Sequence, residues 1–96
     1  MAQDVISTED LTKLMETLGE TVKQSRSFEE LETFFKSQHY VKSVKATDYL
    51  IKTNPPKKEL QVTFKLNNGS SITKMIDITL YPDKSIGLAS IHEQSK

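Results

Sequence analysis

Cysteine is absent from the 96 residues. No disulfide framework and no cysteine-based zinc site can form, so a fold of this size must hold by packing alone. No apolar run approaches the roughly 18 residues of a membrane span. Neither sign of charge dominates: 13 basic residues meet 13 acidic ones, a formal net charge of zero. Such a chain has no global pull toward nucleic acid or anionic lipid. The opening Met1-Ala2-Gln3-Asp4 has neither the basic start nor the apolar stretch of an export signal. As it stands the sequence reads as cytoplasmic. If Met1 replaces a trimmed signal, with Ala2-Gln3 as its remnant, the reading becomes periplasmic or secreted.

Chemical motifs are missing too. No Gly-x-Ser-x-Gly elbow surrounds a serine, and Gly69 stands outside any phosphate-binding loop. His39 and His92 are far apart in sequence, and neither has a second ligand at metal-binding spacing. Each could meet a carboxylate in space, Asp48 or Glu93 for example, but surface positions at element ends explain both. The expectation is therefore no catalytic residue, no metal and no cofactor. No internal repeat or low-complexity tract is present.

What remains is the composition of a folded, soluble protein, 35% hydrophobic and 27% charged. It suits one domain over residues 1–96, with flexible ends at about 1–6 and 93–96. Leu11, Leu14, Met15, Leu18 and Val22 recur on one helical face. Ser7 and Asp10 have the spacing of a capping box, Ile6 and Leu11 that of a hydrophobic staple. Gly19 weakens this helix or admits a close approach of the sheet. The helix should end near Gln24 to Arg26. Ser27 and Glu30 signal a second start, followed by the stripe Phe28, Leu31, Phe34 and Phe35.

The apolar period then changes from 3.6 to 2. Residues Tyr40 to Thr53 favour a strand, with a bulge near Thr47-Asp48 to reconcile Val44, Ala46 and Leu50 with Val41, Tyr49 and Ile51. Asn54-Pro55-Pro56 ends it. Leu60, Val62, Phe64 and Leu66 alternate with Glu59, Gln61, Thr63 and Lys65. After a turn at Asn67–Ser70, Ile72, Ile76, Ile78 and Leu80 point inward. A short last strand carries Ile86, Leu88 and Ile91. The expected fold is α+β: two N-terminal amphipathic helices on one face of a four-stranded antiparallel meander. Leu14, Leu18, Leu31, Phe35, Val62, Phe64, Ile76 and Ile78 should share its core.

This element order resembles cystatin-like and nuclear-transport-factor-like folds, at the level of architecture alone. Cystatins carry a Gln-Val-x-Val-Gly hairpin. Gln61-Val62-Thr63-Phe64-Lys65 lacks the glycine, so protease inhibition is not carried over.

Charge is divided along the chain. Residues 1–35 carry eight acids and three bases, a net of −5, and residues 36–96 carry ten lysines and five acids, a net of +5. An acidic helical layer should thus cover a basic sheet layer. Tyr40, Tyr49 or Tyr81 could stack a base, but the second half has no arginine and no RNP-like motif, which disfavours nucleic acid. The expected function is non-enzymatic binding, to another protein or to a second copy, through the uncovered sheet face. That face should show Gln61, Thr63, Lys65, Thr73, Met75, Asp77, Thr79 and Tyr81. The alternative is a pocket domain of nuclear-transport-factor-like type, with or without catalysis, holding a small molecule near Tyr49, Lys74 or His92.

Overall fold

Helix α1, Thr8–Gln24, begins where its first N–H groups find an acceptor: Ser7 Oγ accepts from the Asp10 N–H at 3.1 Å. The computed structural model describes residues 5–51 and 54–93. Helix α2, Phe28–Lys36, is capped by Ser27, whose Oγ accepts from the Glu30 N–H at 3.2 Å. The Glu30 carboxylate in turn accepts from the Arg26 N–H at 2.7 Å, tying the short link between the helices to the start of α2. Four strands follow: β1 Val41–Ile51, β2 Lys57–Lys65, β3 Ser71–Leu80 and β4 Ile86–Glu93. They form an antiparallel sheet in the order β1-β2-β3-β4. The protein is thus α+β, two helices and an open four-stranded meander.

The turns set the register. Gly69 adopts φ 89°, a conformation that costs a side chain strain, and its N–H reaches the Leu66 carbonyl at 3.1 Å. Asn68 Oδ1 accepts from the Ser70 N–H at 2.9 Å. This loop pairs Phe64 with Ile72, Leu60 with Ile76 and Lys58 with Ile78, so the apolar residues of β2 and β3 share a face. Both helices pack on that face, α1 toward β4 and α2 toward β1. Leu18, Leu31, Phe35, Leu60, Val62, Phe64, Ile76 and Ile78 are fully buried between the layers. Leu14, expected among them, is only partly buried at the margin.

Three register shifts decide which side chains reach this core. In β1 a register shift between Val41 and Ser43 puts Val41 opposite Phe64 and Val44 opposite Val62. This shift was not foreseen; a second, between Ala46 and Leu50, brackets the expected one at Thr47-Asp48. In β4 the shift between Asp77 and Ile78 leaves Ala89 as the extra residue. Ile91 then pairs with Ile76 on the core side, and His92 lands opposite Met75 on the other side.

Two expectations change. Ile6, placed in a flexible end, is 8% exposed and bridges to Leu66: its N–H donates to the Lys65 carbonyl at 2.8 Å, and its carbonyl accepts from the Asn67 N–H at 2.9 Å. Residues 1–4 and 94–96 lie outside the described residues. Gly19 admits no close approach, since a Cβ built there would meet nothing within 4 Å. It is simply a weak position in a helix. Gly19→Ala is therefore expected to stabilise the protein by about 1 kcal/mol, read as a higher urea midpoint with an unchanged slope.

Candidate functional site

The face of the sheet turned away from the helices carries the candidate site. Its residues follow from the pleat: Ser43 and Lys45 of β1, the odd-numbered residues of β2 and β3, and Gly87, Ser90 and His92 of β4. Gln61, Thr63, Lys65, Thr73, Met75 and Asp77 are half-buried on this face, as expected of side chains packed among sheet neighbours. The Thr63 and Thr73 hydroxyls, on a cross-strand pair, lie 2.9 Å apart. Lys45 sits across from Gln61, while Lys57 and Lys65 mark the two ends of β2.

Thr79 departs from the expected picture. It lies on this face but is only 8% exposed. Its cross-strand partner is Gly87, and the Tyr81 ring lies over that glycine, with Cε2 3.0 Å from where a Cβ would stand. Glycine here lets the tyrosine lie flat on the sheet, an arrangement in which an aromatic ring covers the gap left by a missing side chain. Tyr81 stays 45% exposed and presents that ring to solvent.

Tyr40, considered for base stacking, is committed elsewhere: its ring stacks on Phe64 at 6.3 Å, and burial pushes its hydroxyl pKa upward. The side chain of Tyr49 lies outside the described residues. Lys74 shares the parity of the core residues but turns to Glu93, Nζ to Oε1 at 3.4 Å. An open groove of about 440 Å³ lies at the far end of the fold, lined by Val5, Ser7, Asp10, Leu14, His39 and Tyr40 among others.

Three ionisable residues meet on the open face, from three adjacent strands. Glu59 of β2 is directly across from Asp77 of β3, which pairs with Ser90 of β4, two residues before His92. His92 Nε2 is 3.7 Å from Glu59 Oε2 and 3.8 Å from Asp77 Oδ2. The Ser90 hydroxyl donates to Asp77 Oδ2 at 2.8 Å. Asp77 Oδ1 is buried and, apart from the hydrogen bond that Asp77 shares with Glu59, has no donor among the described residues. Burial raises the Glu59 pKa above its ordinary value; the hydrogen bond with Asp77 and the charge of Asp77 raise it further, and His92 opposes them. Of the carboxylates suggested as neighbours of the two histidines, Glu93 pairs with Lys74 and the side chain of Asp48 lies outside the described residues; His92 meets Glu59 and Asp77.

A carboxyl whose pKa is higher in the folded state gives stability that is complete below its unfolded value and is lost as pH rises through the folded value. Glu59 thus weakens the fold at neutral pH. Glu59→Gln is expected to be the more stable form at pH 7 and to lose this advantage at pH 3, in paired urea titrations across that range.

No motif marks this cluster, because its members are 18 and 15 residues apart, from Glu59 to Asp77 to His92. Its one legible signal was the Asn67–Ser70 turn, which sets Glu59 against Asp77. The position of His92 depended on the β4 bulge. No protein-family model, no curated protein and no solved structure matches this chain.

Proposed function

We propose that the protein is a non-enzymatic binding module whose uncovered sheet face docks a second protein with an acidic surface. The observation that supports this reading is the division of charge between the layers. The helices present exposed Glu9, Asp10, Glu16, Glu20, Glu29 and Glu30 on one side of the molecule. Lys45, Lys57 and Lys65 stand on the opposite, open face. Between these lysines lie hydroxyl and amide groups, the adaptable Met75 and the facing carboxyl groups of Glu59 and Asp77, with the amphipathic Tyr81 ring just past the end of β3. A charge distribution of this kind orients an approaching acidic partner before contact. It disfavours a symmetric pairing of two such faces, whose identical lysines would repel.

A small-molecule pocket between helices and sheet has less support. That space is filled by side chains with no solvent exposure, from Leu18 and Phe35 above to Val62 and Ile76 below. Lys74, which would have marked a polar pocket, is paired with Glu93, and His92 lies on the open face beside Glu59 and Asp77.

Met75→Ser combined with Tyr81→Ser is the test on the docking face. Stability should change by less than about 1 kcal/mol, because neither side chain belongs to the core. Binding of the acidic partner should weaken at least about tenfold, since both side chains lie inside the proposed contact. Sedimentation of the wild type alone should give a monomer. A stable dimer, or undiminished partner binding by the double variant, would contradict the reading.

A further inference from the structure

We propose that Glu59, Asp77 and His92 form a binding site for a divalent transition-metal ion of the zinc class. This goes beyond docking and does not depend on it. One ligand atom from each of the three residues lies within 4.8 Å of the others. A tetrahedral ion with bonds of about 2.0–2.2 Å holds its ligand atoms roughly 3.4 Å apart. Two of the three separations, 3.7 Å and 3.8 Å, are already within a few tenths of an ångström of that value. Rotamer adjustments within the cluster can supply the remaining contraction, with no movement of the strands.

The donor set selects the ion. One imidazole and two carboxylates suit zinc and its neighbours, whereas calcium takes six or more oxygens and magnesium keeps most of its water. The supporting residues are also in place. The Ser90 hydroxyl holds the Asp77 carboxylate from outside the cluster, as a partner behind a metal ligand does. The ligands sit on paired strands rather than loops, so the ion would find them preorganised. The imidazole is half-exposed, which leaves a route for entry and a fourth coordination position open on the docking face.

Cross-strand salt bridges alone account poorly for the site. Two largely buried carboxyl groups face one another across the β2–β3 pair, with one histidine beside them. Asp77 Oδ1 is buried and has no hydrogen-bond donor among the described residues other than the facing Glu59 carboxyl. Two facing carboxyl groups beside a single imidazole are short of positive charge, and a dication supplies it. Of the lysines on the open face, Lys57 is placed nearest in register, opposite Thr79 and two residues from Glu59, while Gln61, Met75 and Thr79 flank the cluster without charge.

Zinc titration of the full, untagged chain by calorimetry at pH 7.5, with magnesium present as a competitor, tests the assignment. The expected result is one ion per chain, with NMR shifts centred on the His92 ring and on the Ser90 and Glu59 amides. His92→Ala, at a position whose side chain is half-exposed, should keep the native fold by circular dichroism and bind zinc at least about tenfold more weakly. Asp77→Asn should weaken binding similarly, and His39→Ala should leave it unchanged. The proposal is overturned if zinc does not saturate by millimolar concentration, if His92→Ala binds as tightly as wild type, or if the shifts centre on His39. None of these results bears on protein docking, which is read without metal.

Discussion

Phe64→Ala is expected to cost about 3–5 kcal/mol in urea unfolding. Phe64 has no solvent exposure. Its ring meets Phe35 edge-on at 6.1 Å and stacks on Tyr40 at 6.3 Å, so it links α2, the start of β1 and β2. Truncation would leave a cavity among three elements that the sheet backbone holds apart, so collapse to refill it is limited. A domain of this size has only about 5–15 kcal/mol of stability in total, so the variant should be close to the edge of folding at 37 °C. A loss below about 1 kcal/mol would mean that Phe64 faces solvent and that the phase of β2 is wrong by one residue.

An even larger contrast is expected between two neighbours on β2. Val62 is fully buried opposite Val44 and Lys74, while Thr63 is half-buried on the open face opposite Ser43 and Thr73. Val62→Asp places a carboxylate under the helices. The nearest cation by register, Lys74, is already paired with Glu93. Stripping water from that charge costs several kcal/mol, and the valine packing is lost as well. The variant should be unfolded at pH 7 by circular dichroism and by loss of amide dispersion. Thr63→Asp removes only the hydroxyl contact with Thr73 and should fold, at a cost of about 1 kcal/mol. It also puts a negative charge in the centre of the proposed contact, where an acidic partner should be repelled and binding should fall at least about tenfold. One residue of displacement along the strand thus separates a folding defect from a docking defect.

The reasons some of this was legible in the sequence are local. The caps at Ser7 and Ser27, the stripes of α1 and α2, and the alternation of β2 each lie within one element and are decided by its own residues. Features that depend on partners were harder to read. Val41 joins Val44 on the core face only because β1 bulges between Val41 and Ser43. Ile91 and His92 exchange faces only because Ala89 is an extra residue in β4. Thr79 is buried opposite Gly87 of the next strand, over which the Tyr81 ring lies. Glu59 and Asp77 required the β2–β3 register, and His92 required the bulge as well. No pattern within a single segment encodes such a cluster. Gln61, Thr63 and Lys65 of β2 and Thr73, Met75, Asp77 and Thr79 of β3 share the open face by alternation within their strands, while Tyr81, past the end of β3, reaches it over Gly87.

The open sheet face as a docking surface for an acidic protein is tested most directly by mapping a partner's footprint on it. Wild type and Lys45→Glu/Lys65→Glu serve as parallel baits in metal-free buffer, and a protein retained by the first is titrated into isotope-labelled wild type. The account predicts that the charge-reversed bait loses this protein. It also predicts amide shifts that concentrate on Gln61, Thr63, Lys65, Thr73 and Met75. Equal retention by both baits, with shifts confined to α1, α2 or the connecting loops, would contradict it.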